Sequence, residues 1–459
     1  MNNLDKNYYS HWLSTDELLS NTSQIKTIGK EDLERLDTTG MPIGSIGDKI
    51  IVDKSIDSTL VIGSVGSGKT QAIFLPLLYQ SLISGESVII TDIKGEMYEN
   101  TAGSFIDAGF NVINIDLVKT SLSDSFNPFT LVKQLYDQNN KDEAIKLVDL
   151  IVKYLVSDNR NDSDPFWENT ASQYLTGVIL SFLDNKVEDN KINFKSLSKF
   201  ANEYNSETVI DYLESIDKSS IAYQNISATH LAPPETKASI MSVLNQKMTT
   251  INSKEKLVSK LSKSDFDINK IRDSKTIIYF NLENSDEIQS AIFNIFMEEV
   301  YYALNNDLAR KPINIIIDDF DENKKPIINL TSKISTLRGR YTRLLFSIKG
   351  FDKLVSSYGM KQVESLKYAC NKILYLISNE YNTLKDLSEF CGKKDENYYL
   401  VSPEALRRMQ QWSSLLIKSR LMPYYSNLIP FYKTGLEFKK GSAIVKKDNE
   451  VDLFDFNEM

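Results

Sequence analysis

The chain has 459 residues, 41% of them hydrophobic and 25% charged, and a formal net charge of −9. That length exceeds an ordinary single domain and supplies ample core-forming residues, so at least two units are expected. The acidic balance excludes a protein that coats nucleic acid by being basic all over, while leaving room for a local basic channel.

The amino-terminal stretch MNNLDKNYYSHW lacks the basic-then-apolar pattern of a secretory signal. The first strong element is an apolar run, Thr59 to Ile62, that reads as a strand. It leads into Gly63-Ser64-Val65-Gly66-Ser67-Gly68-Lys69-Thr70, and Gln71 to Leu82 then reads as a buried helix. Strand, glycine turn and helix in that order are the context of a phosphate-binding loop. Glycines at 63, 66 and 68 let backbone N–H groups turn toward a phosphate without a clashing Cβ, and the helix start adds attraction for anions. In such a loop Lys69 reaches the β- and γ-phosphates and the Thr70 hydroxyl binds Mg2+. A nucleoside triphosphate with Mg2+ is the cofactor this pattern calls for.

Further strands are predicted at Ser87 to Thr91, Val112 to Ile115, Thr276 to Leu282, Ile313 to Ile317, Leu344 to Ile348, Ile373 to Ile377 and Leu415 to Lys418. Their near-continuous Val, Ile and Leu content suits strands covered on both faces, hence a mostly parallel α/β sheet. Between about Asn185 and Lys270 strand-like runs vanish. Helical spacing takes over at Phe194 to Tyr204, Val209 to Ile216 and Thr236 to Thr249, so an all-helical domain is expected over 185–270. Ile288 to Leu304 carries Ile288, Ile292, Ile295, Phe296 and Val300 at helical spacing and reads as an amphipathic core helix. No apolar run reaches the roughly 18 residues of a membrane span. The acidic tail, Asp448 to Glu458, has interleaved aromatics and a composition that predicts disorder. It would serve as a docking peptide or as a solubilising end.

Two cysteines, Cys370 and Cys391, have no paired spacing, which excludes a disulfide framework or a zinc site and fits buried thiols in a reducing cytosolic setting. His11 and His230 stand far apart without a companion ligand pattern and read as structural or surface groups.

A second acidic strand end narrows the nucleotide chemistry. Ile313 to Ile317 delivers Asp318 and Asp319, where Asp318 would hold Mg2+ through water and Asp319 would orient the attacking water. The bland alternative is a pair of capping aspartates. Asp92, closing Ser87 to Thr91, is a rival. The adjoining Lys94 and Glu96 suit a nucleotide or intersubunit surface and equally a solvated pair.

The order of GSVGSGKT, Asp92-Ile-Lys-Gly-Glu96, Asn127-Pro-Phe129, Asp164-Pro-Phe-Trp167, IIIDDF, Leu337-Arg-Gly-Arg340, Tyr358-Gly359 and Phe390-Cys-Gly392 resembles the TraG/TraD-type coupling proteins of type IV secretion, the conjugative DNA-transfer ATPases. Ser10-His-Trp12, Gly40-Met-Pro-Ile-Gly44 and Val52-Asp53 are similar to the cytosolic start of Gram-positive members, so the resemblance runs from about Ser10 to Tyr432. It implies a RecA-like P-loop NTPase domain over 51–184 and 271–440 and the all-α domain at 185–270. The segment 1–50 would precede them and the acidic tail 441–459 would follow. It also implies a homo-hexameric ring that hydrolyses ATP and conveys single-stranded DNA with its relaxase toward type IV secretion channel proteins. A neighbouring subunit's arginine would stabilise the γ-phosphate charge, and Arg338 or Arg340 is the position-matched candidate.

Three departures bear on activity. The family carries Asp-Glu where this chain has Asp318-Asp319, withdrawing a carboxylate by roughly 1.5 Å, and a misplacement of about 1 Å can cost on the order of 100-fold in rate. A glutamine that senses the γ-phosphate is replaced by Lys349, which can donate but cannot accept a hydrogen bond. The transmembrane helices that precede the Ser-His-Trp region in the family have no counterpart, implying a cytoplasmic form held at the inner face of the membrane by a partner. The alternative function is a weakly hydrolysing or non-hydrolysing ATP-binding adaptor that recruits the DNA–protein cargo. For DNA contact, Lys254, Lys256, Lys260 and Lys263, or Arg338, Arg340 and Arg343, would line a channel; a solvated helix face explains the lysines as well.

Overall fold

A computed structural model describes residues 9–33, 35–157, 165–283, 286–307, 311–442 and 444–456. The expected Asp164 lies outside these, and residues 165–167 open the helix Pro165–Asp184.

A small antiparallel sheet comes first: β1 (Ile25–Ile28), β2 (Met41–Ile46) and β3 (Lys49–Asp53), in the order β1-β3-β2. The main sheet contains β4 (Thr59–Gly63), β5 (Ser87–Thr91), β6 (Asn111–Asp116), β7 (Thr276–Asn281), β8 (Ile313–Ile317), β9 (Thr342–Ile348), β10 (Lys372–Ile377), β11 (Ser413–Lys418) and β12 (Tyr424–Asn427). Its order is β12-β11-β10-β4-β9-β8-β5-β7-β6. All eight expected strands are in it; β12 and the small sheet were not anticipated. Pairings from β10 through β4, β9, β8 and β5 to β7 are parallel, and β10–β11 and β11–β12 are antiparallel. Every residue of β4, β5, β7, β8 and β9 is buried, as continuous apolar runs require of strands covered on both faces.

The chain divides into two compact units, one of residues 1–113, 269–280 and 304–442, the other of 114–268, 281–303 and 443–459. The helical unit is therefore wider than the expected 185–270. Its helices Lys141–Val156 and Pro165–Asp184 belong with Ile221–His230 and Pro234–Asn252. At Gly177 a Cβ would come within 2.6 Å of Ile226 Cγ1 and 2.8 Å of the Ala222 carbonyl, so glycine permits this close helix crossing. Asn193, Ser206 and Ser220 cap the helices that follow them through side-chain acceptors.

The tail differs from expectation. Phe454 and Phe456 are buried against Phe182, Phe200 and Tyr212 of the helical unit, because two aromatic side chains offset the solubility of the surrounding acids.

Two of the proposed DNA-contacting basic residues are internal. Lys260 is buried and donates to the Lys447 carbonyl at 2.7 Å. Arg343 is buried and pairs with Glu86 at 2.8 Å, while Thr39 and Asn314 complete the network. A guanidinium starting a fully covered strand must find its partners inside. Lys254 pairs with Asp286, and Lys263 lies 3.9 Å from Asp265. Cys370 and Cys391 are both buried free thiols.

Candidate functional site

Because β4, β8 and β9 run parallel and neighbour one another through β9, their carboxyl ends converge on one edge of the sheet. That edge carries the glycine loop after β4, Asp318 and Asp319 after β8, and Lys349 after β9. Open parallel sheets bind ligands at this edge.

The loop turns at Gly66 (φ +77°) and Gly68 (φ +93°). Its base is tied to β10, with the Ser64 N–H donating to the Ile377 carbonyl at 2.9 Å. Gly63 is needed for space, since a Cβ there would meet Ser67 Oγ at 2.5 Å. The following helix starts with a wide π turn, Thr70–Phe74, before the α-helix Leu75–Ser84. Lys69 is buried and folds across the loop, donating to the Gly63 carbonyl at 2.6 Å. Its ammonium also lies 3.9 Å from Asp319 Oδ1.

Asp318 is fixed through its backbone, whose N–H donates to Thr91 Oγ1 at 2.7 Å. Burial raises its carboxyl pKa above the ordinary range, and neighbouring Asp319 adds to the rise; the Ser347 hydroxyl and Lys69 oppose it. A cation would relieve this crowding of negative charge. Asp319 adopts a left-handed backbone (φ +45°), and its N–H donates to Asp318 Oδ1 at 2.9 Å. Its two oxygens lie between two ammonium groups, 3.9 Å from Lys69 and 3.9 Å from Lys349. Lys349 donates to Glu322 at 2.6 Å, and Lys353 pairs with the other oxygen of the same carboxylate. Burial alone would lower the Lys349 pKa, but Glu322 and Asp319 raise it, so the ammonium is firmly charged.

The structure thus brings Gly63 to Thr70, Asp318, Asp319 and Lys349 to one place. It does not bring Arg338 and Arg340 there. Both precede β9 and stand at the opposite, amino-terminal edge of the sheet, where Arg338 pairs with Asp57 at 3.0 Å. Asp92 turns inward and accepts the Tyr98 N–H at 2.8 Å, capping the helix Glu96–Asp107, while Lys94 and Glu96 are exposed.

Sequence reasoning missed three participants. Trp412 packs its ring on the loop, so that a Cβ at Gly68 would sit 2.5 Å from Trp412 Cζ3. No local pattern marks it, because the contact joins distant segments. Asp321 and Glu322 extend the aspartate pair through a short turn, Phe320–Glu322, and the run Asp-Asp-Phe-Asp-Glu was the available signal. Burial pushes the Asp321 carboxyl up to about 6.

The residues present suit a phosphate and Mg2+. Ser67 Oγ is buried with no hydrogen-bond partner among the described residues, an orphan polar atom inside the loop. Thr70 and Asp318 offer hard oxygen ligands, and among the described residues no group of three or more His, Cys, Asp or Glu could hold a metal. Mg2+ ordinarily takes one or two carboxylates and completes its shell with substrate phosphates and water, which this donor set allows.

Comparisons with known proteins agree with this architecture. Residues 12–411 match the family described as type IV secretory system conjugative DNA transfer. No curated protein sequence matches the chain. Among solved structures it is similar to the bacterial conjugative coupling protein TrwBdeltaN70, with TM-score 0.66, 13% identity, and 95% of this chain and 97% of that chain covered. TrwB in complex with the ATP analogue ADPNP gives TM-score 0.67 at 12% identity, covering 96% and 98% of the two chains. VirB4 of Thermoanaerobacter pseudethanolicus gives 0.52 at 14% identity, covering 87% and 98%. Among the described residues no helix is long and apolar enough to cross a membrane. With the family matched across most of its length and a RecA-like sheet carrying the glycine loop, this chain belongs to the type IV secretory system conjugative DNA transfer family, the TraG/TraD-type coupling proteins.

Proposed function

We propose that the chain is an ATP-driven coupling protein that recruits DNA with its relaxase and moves it toward a type IV secretion channel during conjugation. The observation that carries the catalytic half is the convergence of Lys69 and Asp319, 3.9 Å apart, with Asp318 beside them at the carboxyl edge of the sheet. The glycine loop would hold the phosphates of ATP, with Lys69 leaving the Gly63 carbonyl for the β- and γ-oxygens. Mg2+, held by Thr70 and Asp318, would neutralise charge developing on the phosphates. Asp319 would orient the attacking water, its two oxygens lying between the Lys69 and Lys349 ammonium groups. Lys349 would place positive charge where the family uses an amide.

Arg338 and Arg340 stand at the far edge of the sheet, so either would complete the site only of a neighbouring copy, as in a homo-hexamer. Relatives supply supporting cofactor chemistry, since TrwB has been solved with ADPNP and with ADP and Mg2+. The test is Lys69→Ala: ATP turnover and DNA transfer are lost while the melting temperature stays near wild type. Wild-type turnover in that variant would remove the loop from the mechanism.

A second reading, a weakly hydrolysing ATP-binding adaptor, draws on Asp319 being held between two ammonium groups. Asp319→Glu separates the two. On the leading reading the left-handed backbone at 319 compensates for the shorter side chain, so the longer one leaves turnover unchanged or lower; a tenfold or greater gain would favour the adaptor.

A further inference from the structure

Residues 444–456 form neither helix nor strand, yet the helical unit holds them through a directed set of contacts. Phe454 and Phe456 are 4% and 6% exposed, whereas Leu453, immediately before Phe454, is 46% exposed. Two positions apart on an extended segment, the rings point to the same side. Phe454 meets Phe182 and Tyr212 at ring-centroid distances of 4.6 and 5.7 Å, and Phe456 meets Phe200 at 5.5 Å. The Lys199 ammonium lies 5.5 Å above the Phe456 ring.

The main chain of the segment is bound separately. Asn193 Nδ2 donates to the Asp452 carbonyl at 2.7 Å, and Ser196 Oγ accepts the Phe454 N–H at 3.0 Å. Ser259 Oγ accepts the Asn449 N–H at 2.7 Å and lies 3.0 Å from its carbonyl. The acidic character is also recognised, with Asn190 Nδ2 donating to the Asp452 carboxylate at 2.7 Å. Side chains of the receiving face that bind backbone atoms fix an extended segment whatever its sequence. Ring pockets at alternate positions and an amide for the acid then supply selectivity, which is how extended peptides are recognised.

We propose that this face of the helical unit is a docking groove for an extended acidic segment with aromatics at alternate positions. The tail Lys446 to Phe456 is its resident occupant, and a segment of the same chemistry on another protein chain takes the groove when the tail leaves. Covalent attachment gives the tail a high effective concentration, so it acts as a built-in competitor that an incoming segment must displace. The proposal is independent of the nucleotide chemistry.

The test uses the full chain and a fluorescent peptide of residues 446–456. The variant Phe454→Ala/Phe456→Ala vacates the ring pockets and binds the peptide, whereas the wild-type chain binds it at least tenfold more weakly because its own tail competes. A peptide carrying both phenylalanines as alanine does not bind the variant. Equal affinity of the peptide for both chains, or no binding to a variant with native helical circular dichroism, overturns the proposal. Loss of helical signal in the variant also overturns it, since the two rings would then be ordinary core.

Discussion

Replacing Asp321 by asparagine should make the protein more stable at neutral and alkaline pH, and by an amount that depends on pH in a defined way. Asp321 is 1% exposed; Oδ2 accepts the Lys349 N–H at 3.1 Å, and Oδ1 has no hydrogen-bond partner among the described residues. Burial raises its pKa from 3.8 to about 6, Asp319 adds to the rise, and the Lys349 N–H only partly opposes it. A group whose folded pKa is raised contributes most below its unfolded pKa, and that contribution is lost as pH rises through the folded value. Ionising Asp321 in the folded chain therefore costs about 3 kcal/mol at pH 8, from about 1.4 kcal/mol per tenfold of proton affinity. At pH 5 the same relation gives about 1.6 kcal/mol. An asparagine keeps an oxygen for the Lys349 N–H and never ionises. Its advantage over wild type should thus grow by about 1.4 kcal/mol between pH 5 and pH 8. Urea unfolding of both chains at the two pH values, without nucleotide or metal, measures this difference. An advantage that stays constant or shrinks between those values would refute the assignment of Asp321 as a buried carboxylate under strain from its own charge.

Two further substitutions test the packing of the site and of the core. Gly68→Ala should destabilise the chain by about 1–2 kcal/mol, the cost of an L residue in a left-handed backbone. It should also weaken nucleotide binding, because the new Cβ would lie 2.5 Å from Trp412 Cζ3. Melting and nucleotide titration read the two effects, and Trp412→Ala in the same chain should relieve only the crowding. Arg343→Ala should cost about 3–5 kcal/mol in urea unfolding by leaving Glu86 charged and buried. Restoration of most of that loss by Glu86→Gln would identify the orphaned carboxylate as its source.

The central strands were legible because each is a continuous apolar run of five to seven residues, too short for a membrane span and suited to a strand covered on both faces. Asp318 and Asp319 were legible for the same reason, since a buried strand fixes where its last residues emerge. The small sheet was not: β2 contains Pro42 and Gly44, and β1 has a single exposed lysine between short apolar ends. In β12, buried and exposed residues alternate over four positions, too few to outweigh the tyrosines and polar groups. The border of the helical unit was misplaced because helices such as Lys141–Val156 have the same amphipathic period whichever unit they pack with. Composition misjudged the tail for a related reason. Acidic residues set the average, while two phenylalanines decide the packing. Arginine positions were legible as a motif, but only the strand direction reveals which edge of the sheet they occupy.

The carboxylate of Asp53, at the end of β3, is completely enclosed, 2.5 Å from the Lys418 ammonium and 3.3 Å from that of Lys372. Lys372 begins β10 opposite Thr59, the first residue of the strand that ends in the glycine loop. Sliding the amino-terminal strands past the large sheet would therefore pull apart three ionic groups with little water at hand, which thermal agitation seldom achieves. These contacts tie the small amino-terminal sheet to the strand that begins beside the one beneath the phosphate site.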